Sequence, residues 1–334
     1  MEEQVFVISS SPHIESEENI PKIMYTVIIA LIPAMISAAV FFGWRAILLL
    51  ATCVGTCVLT EYVFQKARKK EVTIKDGSAV ITGILFALVL PPPTPWPLSA
   101  MVGSLLAAVL GSVVAIALGK QVFGGLGYNI FNPALVGRAF LQATYPVAMT
   151  TWIRPFFYMG PPDAVTTATP LALMKFETQG TPYWKLLVGY TGGCLGETSA
   201  LAILVGGAIL LYKNYINWRI PVSYLGTVFV LGTGFWIAHF EKYPASPFFH
   251  LFAGGLMLGA VFMATDMVTS PITPGGCWIF GIVAGILVIV IRIFGGLPEG
   301  VMYSILIMNA VTPLINRYTK PKVFGSKTVS KASS

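Results

Sequence analysis

Charge is what this sequence has least of. Only 10% of its 334 residues are Asp, Glu, Lys or Arg, against 55% that are hydrophobic, and the mean hydropathy is +0.77. A soluble surface needs more charge than that, so a soluble globular chain is excluded and an integral membrane protein is expected. Histidine is scarcer still. His13, His239 and His250 are the three present, and no pair stands at helix-face spacing within one apolar run, which argues against a bis-histidine haem. Four cysteines are too few and too scattered for a disulfide framework. Cys53 and Cys57 lie one helical turn apart, yet no second pair completes a zinc or iron–sulfur site, and both read as small buried residues. Cys194 and Cys277 stand alone beside glycines, leaving open a half-site shared with a partner subunit. The net charge of +7 does not point to nucleic acid, because the basic residues form short clusters between apolar runs.

Apolar runs are what the chain has in abundance. A helical span needs roughly 20 apolar residues, fewer where protein shields it, and ten such segments can be placed. They run from about Ile23 to Gly43, Ala46 to Gln65, Ser78 to Leu90, Trp96 to Leu118, Pro133 to Ala143, Ser199 to Leu211, Ile220 to Ala238, Phe249 to Ala264, Cys277 to Ile291 and Val301 to Ile315. The expected fold is therefore an all-α membrane protein with a single transmembrane domain over 23–316. It is preceded by a polar segment, 1–22, that does not resemble a cleavable signal peptide, and followed by a basic tail, 317–334.

The cluster Lys66-Ala67-Arg68-Lys69-Lys70 places the second loop, and with it both termini, on the cytoplasmic side. On that count about fourteen Lys and Arg lie inside and about six outside. The long stretch 144–197 falls on the outer face.

Two stretches break the apolar pattern. In Phe123-Gly124-Gly125-Leu126-Gly127-Tyr128-Asn129-Ile130-Phe131-Asn132-Pro133, Asn132 is a good N-cap and Pro133 suits the first helical position. The spacing matches no dinucleotide fingerprint. It fits a re-entrant loop, or a cradle for an anion or polar ring at a helix start. Arg138, on the same short helix, must face protein, an anion or a water-filled cavity. The second stretch, Gly160 to Leu171, carries Asp163 and three threonines, Thr166, Thr167 and Thr169. By composition it is a Pro- and Thr-rich turn. Few acids lie near the apolar runs; Glu61, Glu197, Asp266 and Glu299 are those to weigh as cation-path residues against plain capping or interfacial roles.

An internal repeat is also legible. Gly83-Ile84-Leu85-Phe86-Ala87 before prolines resembles Gly259-Ala260-Val261-Phe262-Met263-Ala264 before Ser270-Pro271, and Phe123-Gly124-Gly125-Leu126 recurs as Phe294-Gly295-Gly296-Leu297. Asn309 and Pro313 loosely echo Asn132-Pro133. Five spans separate the copies, and an odd number makes the repeat (23–143 and 198–316) inverted, as in many transporters.

Five segments together resemble the RnfD family, the D subunits of Rnf complexes, and the related B subunit of the sodium-pumping NADH:quinone oxidoreductase. They are Ser11-Pro12-His13, Asn129 to Phe140, Ala168-Thr169-Pro170-Leu171, Gly192 to Ala200, and Phe262 to Pro271. The resemblance covers nearly the whole chain. It implies a urea-transporter-like fold of two inverted five-helix halves, and FMN joined by a phosphoester to the last threonine of a Ser/Thr-Gly-Ala-Thr motif. Here that motif is Thr166, Thr167 in place of the glycine, Ala168 and the acceptor Thr169, with Asp163 upstream. It further implies riboflavin in some members, for which Asn129 and Asn132 are the expected contacts.

The implied partners are the flavin-bearing G subunit, the membrane-embedded A and E subunits, the iron–sulfur B and C subunits, a flavin transferase, and Na+ or H+. The segment at Ser11 and the short N-terminus favour the Rnf branch of the family. The expected function is thus a flavoprotein component of an ion-translocating ferredoxin:NAD oxidoreductase in a bacterial cytoplasmic (inner) membrane, with no NAD site of its own. The alternatives are a urea-transporter-like solute channel or a scaffold, both without a redox cofactor.

Overall fold

The computed structural model describes residues 18–94, 98–159, 166–197, 199–238 and 245–321. Helix α1 (Ile20–Phe42) starts at Asn19, whose side chain accepts from the Lys22 N–H, with a proline in the first turn. Gly43, at φ 68°, turns the chain directly into α2 (Trp44–Ala67), so Trp44 and Arg45, which lie between the first two expected spans, are the first residues of the second helix. α3 (Ser78–Leu88) stops short of the three prolines. α4 (Leu98–Ile116) runs on as a π turn, Ala117–Gln121, and α5 (Pro133–Thr144) starts where Asn132 and Pro133 predict. The second half holds α9 (Ala200–Tyr212), α10 (Arg219–Ala238), α11 (Pro247–Phe252), α12 (Leu256–Leu258, extended by a π turn over Gly259–Met263), α13 (Pro274–Phe294) and α14 (Val301–Tyr318).

Five of these segments, Ile20–Phe42, Trp44–Ala67, Leu98–Gln121, Arg219–Ala238 and Pro274–Phe294, are long and apolar enough to cross a membrane. Their outward faces carry Ile29, Ile36, Ile47, Leu59, Leu106 and Val230, all well exposed, as suits lipid and not water. The protein is a multi-pass, all-α membrane protein. α10 packs along α13, α2 along α3 and α4, α4 along α5, and α1 crosses to α9. Gly206 allows that crossing, since a Cβ there would lie 2.0 Å from the Ala30 carbonyl oxygen.

One expected span needs correction. The segment Phe249–Ala264 is not one helix. It breaks over Ala253–Gly255, where Gly254 takes φ 73° and the buried Arg292 of α13 donates to the freed carbonyls of His250, at 2.5 Å, and Ala253, at 2.9 Å. The stretch 144–197, which shows no periodicity in sequence, folds locally as α6 (Pro146–Thr150), β1 (Trp152–Ile153), β2 (Thr166–Thr167), α7 (Pro170–Glu177) and α8 (Tyr183–Val188). Its elements are too short for any period to register. Asn309 and Pro313 lie inside α14, within the span expected over Val301 to Ile315.

Candidate functional site

Thr169 is built into a helix end. Thr166 and Thr167 pair with Ile153 and Trp152 in a two-residue antiparallel ladder, Ala168 is exposed, and Thr169 caps α7 with Pro170 in the first turn. Its Oγ1 accepts from the Ala172 N–H at 3.2 Å, and the residue is only 6% exposed. Asp163 lies outside the described residues. α7 is held in two ways. Leu171 packs with Leu186, Phe249 and Ala253, and Lys175 Nζ donates to the carbonyls of Arg292, Gly295 and Leu297 at the end of α13. Burial lowers the Lys175 pKa from its ordinary value.

Beside this helix start lies a cavity of about 310 Å³ lined by Arg154, Thr167, Ala168, Pro170, Lys185 and Tyr190 among others. Small-molecule sites begin at roughly that size. Lys185 Nζ sits 5.9 Å from the Tyr190 ring centroid. The cavity therefore offers two cations, an aromatic wall and the positive end of a helix. Those donors fit an anionic group attached at Thr169 and an aromatic ring beside it.

The other expected site residues gather elsewhere. Asn129 and Asn132, both buried, line a cavity of about 100 Å³ with Lys120, Ser78, Thr265 and Asp266. The Asn132 amide is already committed. Its Oδ1 accepts from the N–H groups of Ala134 and Leu135, and its Nδ2 reaches the Met263 carbonyl at 3.4 Å. With the Asn309 amide oriented to suit its neighbours, its oxygen accepts from the Asn132 N–H at 3.1 Å. The two residues paired by the sequence repeat thus meet, though in different roles. Asn129 Nδ2 donates to the Phe131 carbonyl, and among the described residues no donor is placed on its oxygen. Since the cavity is smaller than a tricyclic ring requires, a flavin there needs the wall to part.

Arg138, expected to face protein, an anion or water, faces protein. It is paired with Glu299 at 2.8 Å and donates to the Val89 carbonyl and to Cys194 Sγ. It joins neither the Thr169 nor the Asn129 group.

One cluster carries no sequence signal beyond single residues. Lys120, which in the sequence counts only as a charge for topology, is buried in the π turn. Its Nζ lies 2.7 and 2.8 Å from the two Glu61 oxygens and 2.5 Å from Ser78 Oγ. Gln65 and Gln121 also donate to Glu61 Oε1. A fully paired and hydrogen-bonded ion pair is the form in which charge survives such burial. The pair joins residues 59 apart, beyond the reach of any local spacing.

Against known proteins, residues 7–325 match the model of the NQR2, RnfD, RnfE family. The chain is 46% identical over 337 residues, 98% of each chain, to the D subunit of the proton-translocating ferredoxin:NAD(+) oxidoreductase complex of Clostridium ljungdahlii. It is 47% identical over 337 residues, 99% of each, to the Na(+)-translocating counterpart of Acetobacterium woodii. To the D subunit of the ion-translocating oxidoreductase complex of Yersinia enterocolitica it is 36% identical, over 95% of this chain and 98% of that one.

Proposed function

The chain belongs to the NQR2, RnfD, RnfE family, and we propose that it carries electrons through a flavin attached at Thr169. It is the D subunit of an ion-translocating ferredoxin:NAD+ oxidoreductase complex, a membrane enzyme in which electron transport drives ion movement. Other subunits of that complex are its partners. The two relatives at 46% and 47% identity are named for different ions, H+ and Na+, so the coupling ion does not follow from overall likeness.

The observation that carries the flavin reading is the juxtaposition at α7. A threonine hydroxyl at a helix N-terminus adjoins a cavity with Arg154, Lys185 and Tyr190 in its walls. A phosphoester there meets a positive helix end and two cations, and bound FMN supplies reversible electron acceptance. The protein's part is to hold the phosphate end and shape the cavity. Thr166 and Ala168 set the strand and bend leading to the acceptor. The capping bond at Ala172 must open while a flavin transferase reaches Oγ1.

A second flavin, riboflavin, would contact Asn129 through its amide oxygen and Asn132 at the helix start, while Arg138 serves the buried ion pair and not either flavin.

The single membrane domain over 23–316 is proposed to be two inverted five-helix halves of the urea-transporter type. Support comes from matched neighbours: α2 packs on α3 and α4 as α10 packs on α11 and α13, and α4 on α5 as α13 on α14. The basic clusters favour a cytoplasmic N- and C-terminus in a bacterial inner membrane and an outer location for Thr169.

In-gel fluorescence of the denatured polypeptide, co-produced with a flavin transferase, tests the attachment. Thr169→Ala should abolish the signal and Thr166→Ala should retain it, with the mass of FMN found on the peptide containing Thr169. Fluorescence that survives Thr169→Ala overturns the acceptor.

A further inference from the structure

Two consecutive glycines separate the cavity at Thr169 from a buried carboxyl group. A Cβ on Gly192 would lie 2.2 Å from Thr167 Cγ2 and 3.6 Å from the Ala168 carbonyl oxygen, whereas one on Gly193 would lie 2.5 Å from Glu197 Oε2. Adjacent Cα atoms are about 3.8 Å apart, so one backbone segment is all that stands between the attachment strand and Glu197. On the far side, Glu197 lines a second cavity, of about 20 Å³, shared with Arg138, Cys194, Gly255 and Glu299. That is room for one water molecule.

The charges around Glu197 are committed elsewhere. Glu299 Oε2 takes Arg138 Nη2 at 2.8 Å, and its Oε1 accepts from the Gly255 N–H at 2.8 Å. Arg138 Nη1 donates to the Val89 carbonyl and to Cys194 Sγ. Arg292 of α13 spends both Nη groups on the carbonyls of His250 and Ala253. Glu197 Oε1 is shielded from solvent and has no hydrogen-bond partner among the described residues. The titratable and charged groups that act on it are Cys194 of its own turn, Arg138 of α5, Arg292 of α13, and Glu299 before α14. An ionised carboxylate with a bare oxygen beside a second carboxylate is costly, and a proton on Oε1 relieves both terms.

We propose that Glu197 is a proton-binding residue whose occupancy is linked to the charge in the Thr169 cavity. The proposal rests on the flavin reading above. When one electron from the complex's donor enters that cavity, one proton from water binds the Glu197 carboxylate at Oε1, giving the neutral acid, and the charge of the region is unchanged. Reoxidation returns the electron to the next carrier and the proton to water. The glycine pair keeps the two sites close, and the cavity has room for one water beside Glu197. Glu197 is a positioning residue in this scheme, tuning the potential without touching the reacting ring.

The test uses the full complex in nanodiscs, reduced by dithionite and followed by infrared difference spectroscopy. Reduction should raise a protonated-carboxyl C=O band that shifts in D₂O. The band should vanish in Glu197→Gln, an isosteric change, and in Thr169→Asn, which removes the attachment oxygen. A spectroelectrochemical titration should find a flavin midpoint potential that falls with rising pH more steeply in the unsubstituted complex than in Glu197→Gln, because the flavin's own proton uptake remains in both. No carboxyl band on reduction of the unsubstituted complex, a band that persists in either variant, or an unchanged pH slope in Glu197→Gln overturns the linkage. Absence of covalent flavin fluorescence from the unsubstituted chain instead overturns the attachment reading, so the two failures are distinct.

Discussion

Thr169 does two jobs with one oxygen, and substitutions can separate them. As the cap of α7 it satisfies the Ala172 N–H, and losing such a cap costs about 1 kcal/mol. As an acceptor it must offer a hydroxyl, which Asn lacks. Thr169→Ala should therefore lose flavin and lower the apparent melting temperature of the detergent-solubilised chain, whereas Thr169→Asn should lose flavin with little change in melting. Equal melting of the two variants would show that capping at this position carries no stability.

Lys120 permits a sharper contrast, because its side chain is 2% exposed and that of Glu61 is 1% exposed. Lys120→Met leaves a buried carboxylate without its cation and should cost about 3–5 kcal/mol. Adding Glu61→Gln to Lys120→Met should recover much of that loss in the same thermal assay. Neither residue's role is legible in the sequence. There Glu61 is one of several acids near a span end and Lys120 a single charge in a loop, and it takes the folded chain to bring them together.

At the scale of elements, one signature is plain in one place and hidden in another. Asn132-Pro133 and Thr169-Pro170 are the same signal, a capping residue followed by proline, and both start helices. The first is recognisable because a helical apolar run follows it. The second reads in sequence as a Pro- and Thr-rich turn, since the eight residues of α7 are too few for periodicity to speak. The break in Phe249–Ala264 is hidden for the opposite reason: its apolar residues continue across Gly254, and only Arg292, on a distant helix, stabilises the interrupted carbonyls.

That break also sets a prediction about glycine. A Cβ on Gly254 would lie 2.6 Å from Leu171 Cδ1, and the residue's φ is +73°. Gly254→Ala should cost about 1–3 kcal/mol and loosen α7, seen as faster proteolysis of the Thr169 loop. Gly55, inside α2 with nothing within 4 Å of a Cβ, should accept Ala with a gain of roughly 0.5–1 kcal/mol. If both substitutions shift the melting temperature alike, the strain at Gly254 plays no part.

For the whole molecule, composition alone implies the membrane class, because burial of polar backbone leaves few architectures open to so apolar a chain. The relation between the halves rests on contacts far apart in sequence, such as Arg138 with Glu299 at a separation of 161, and on which side of the membrane each loop occupies. Sidedness is open to direct measurement. All four native cysteines are buried, so a membrane-impermeant thiol reagent should meet little background. Exposed positions for single cysteines are Glu71 between α2 and α3, Gln179 after α7, and Lys213 between α9 and α10.

Two spans precede Glu71, three more lie before Gln179, and one further span before Lys213. If each crosses the bilayer, Glu71 and Lys213 share a side and Gln179 lies opposite. The basic residues near Glu71 and Lys213 make their side the inner one. Reagent added outside intact cells should therefore label Gln179→Cys alone, and permeabilisation should expose the other two. Labelling of Glu71→Cys and Lys213→Cys but not Gln179→Cys would reverse the orientation and put Thr169 inside. Labelling that places Gln179 and Lys213 on one side would make the number of crossings between them even, and the inverted relation of the halves would fall.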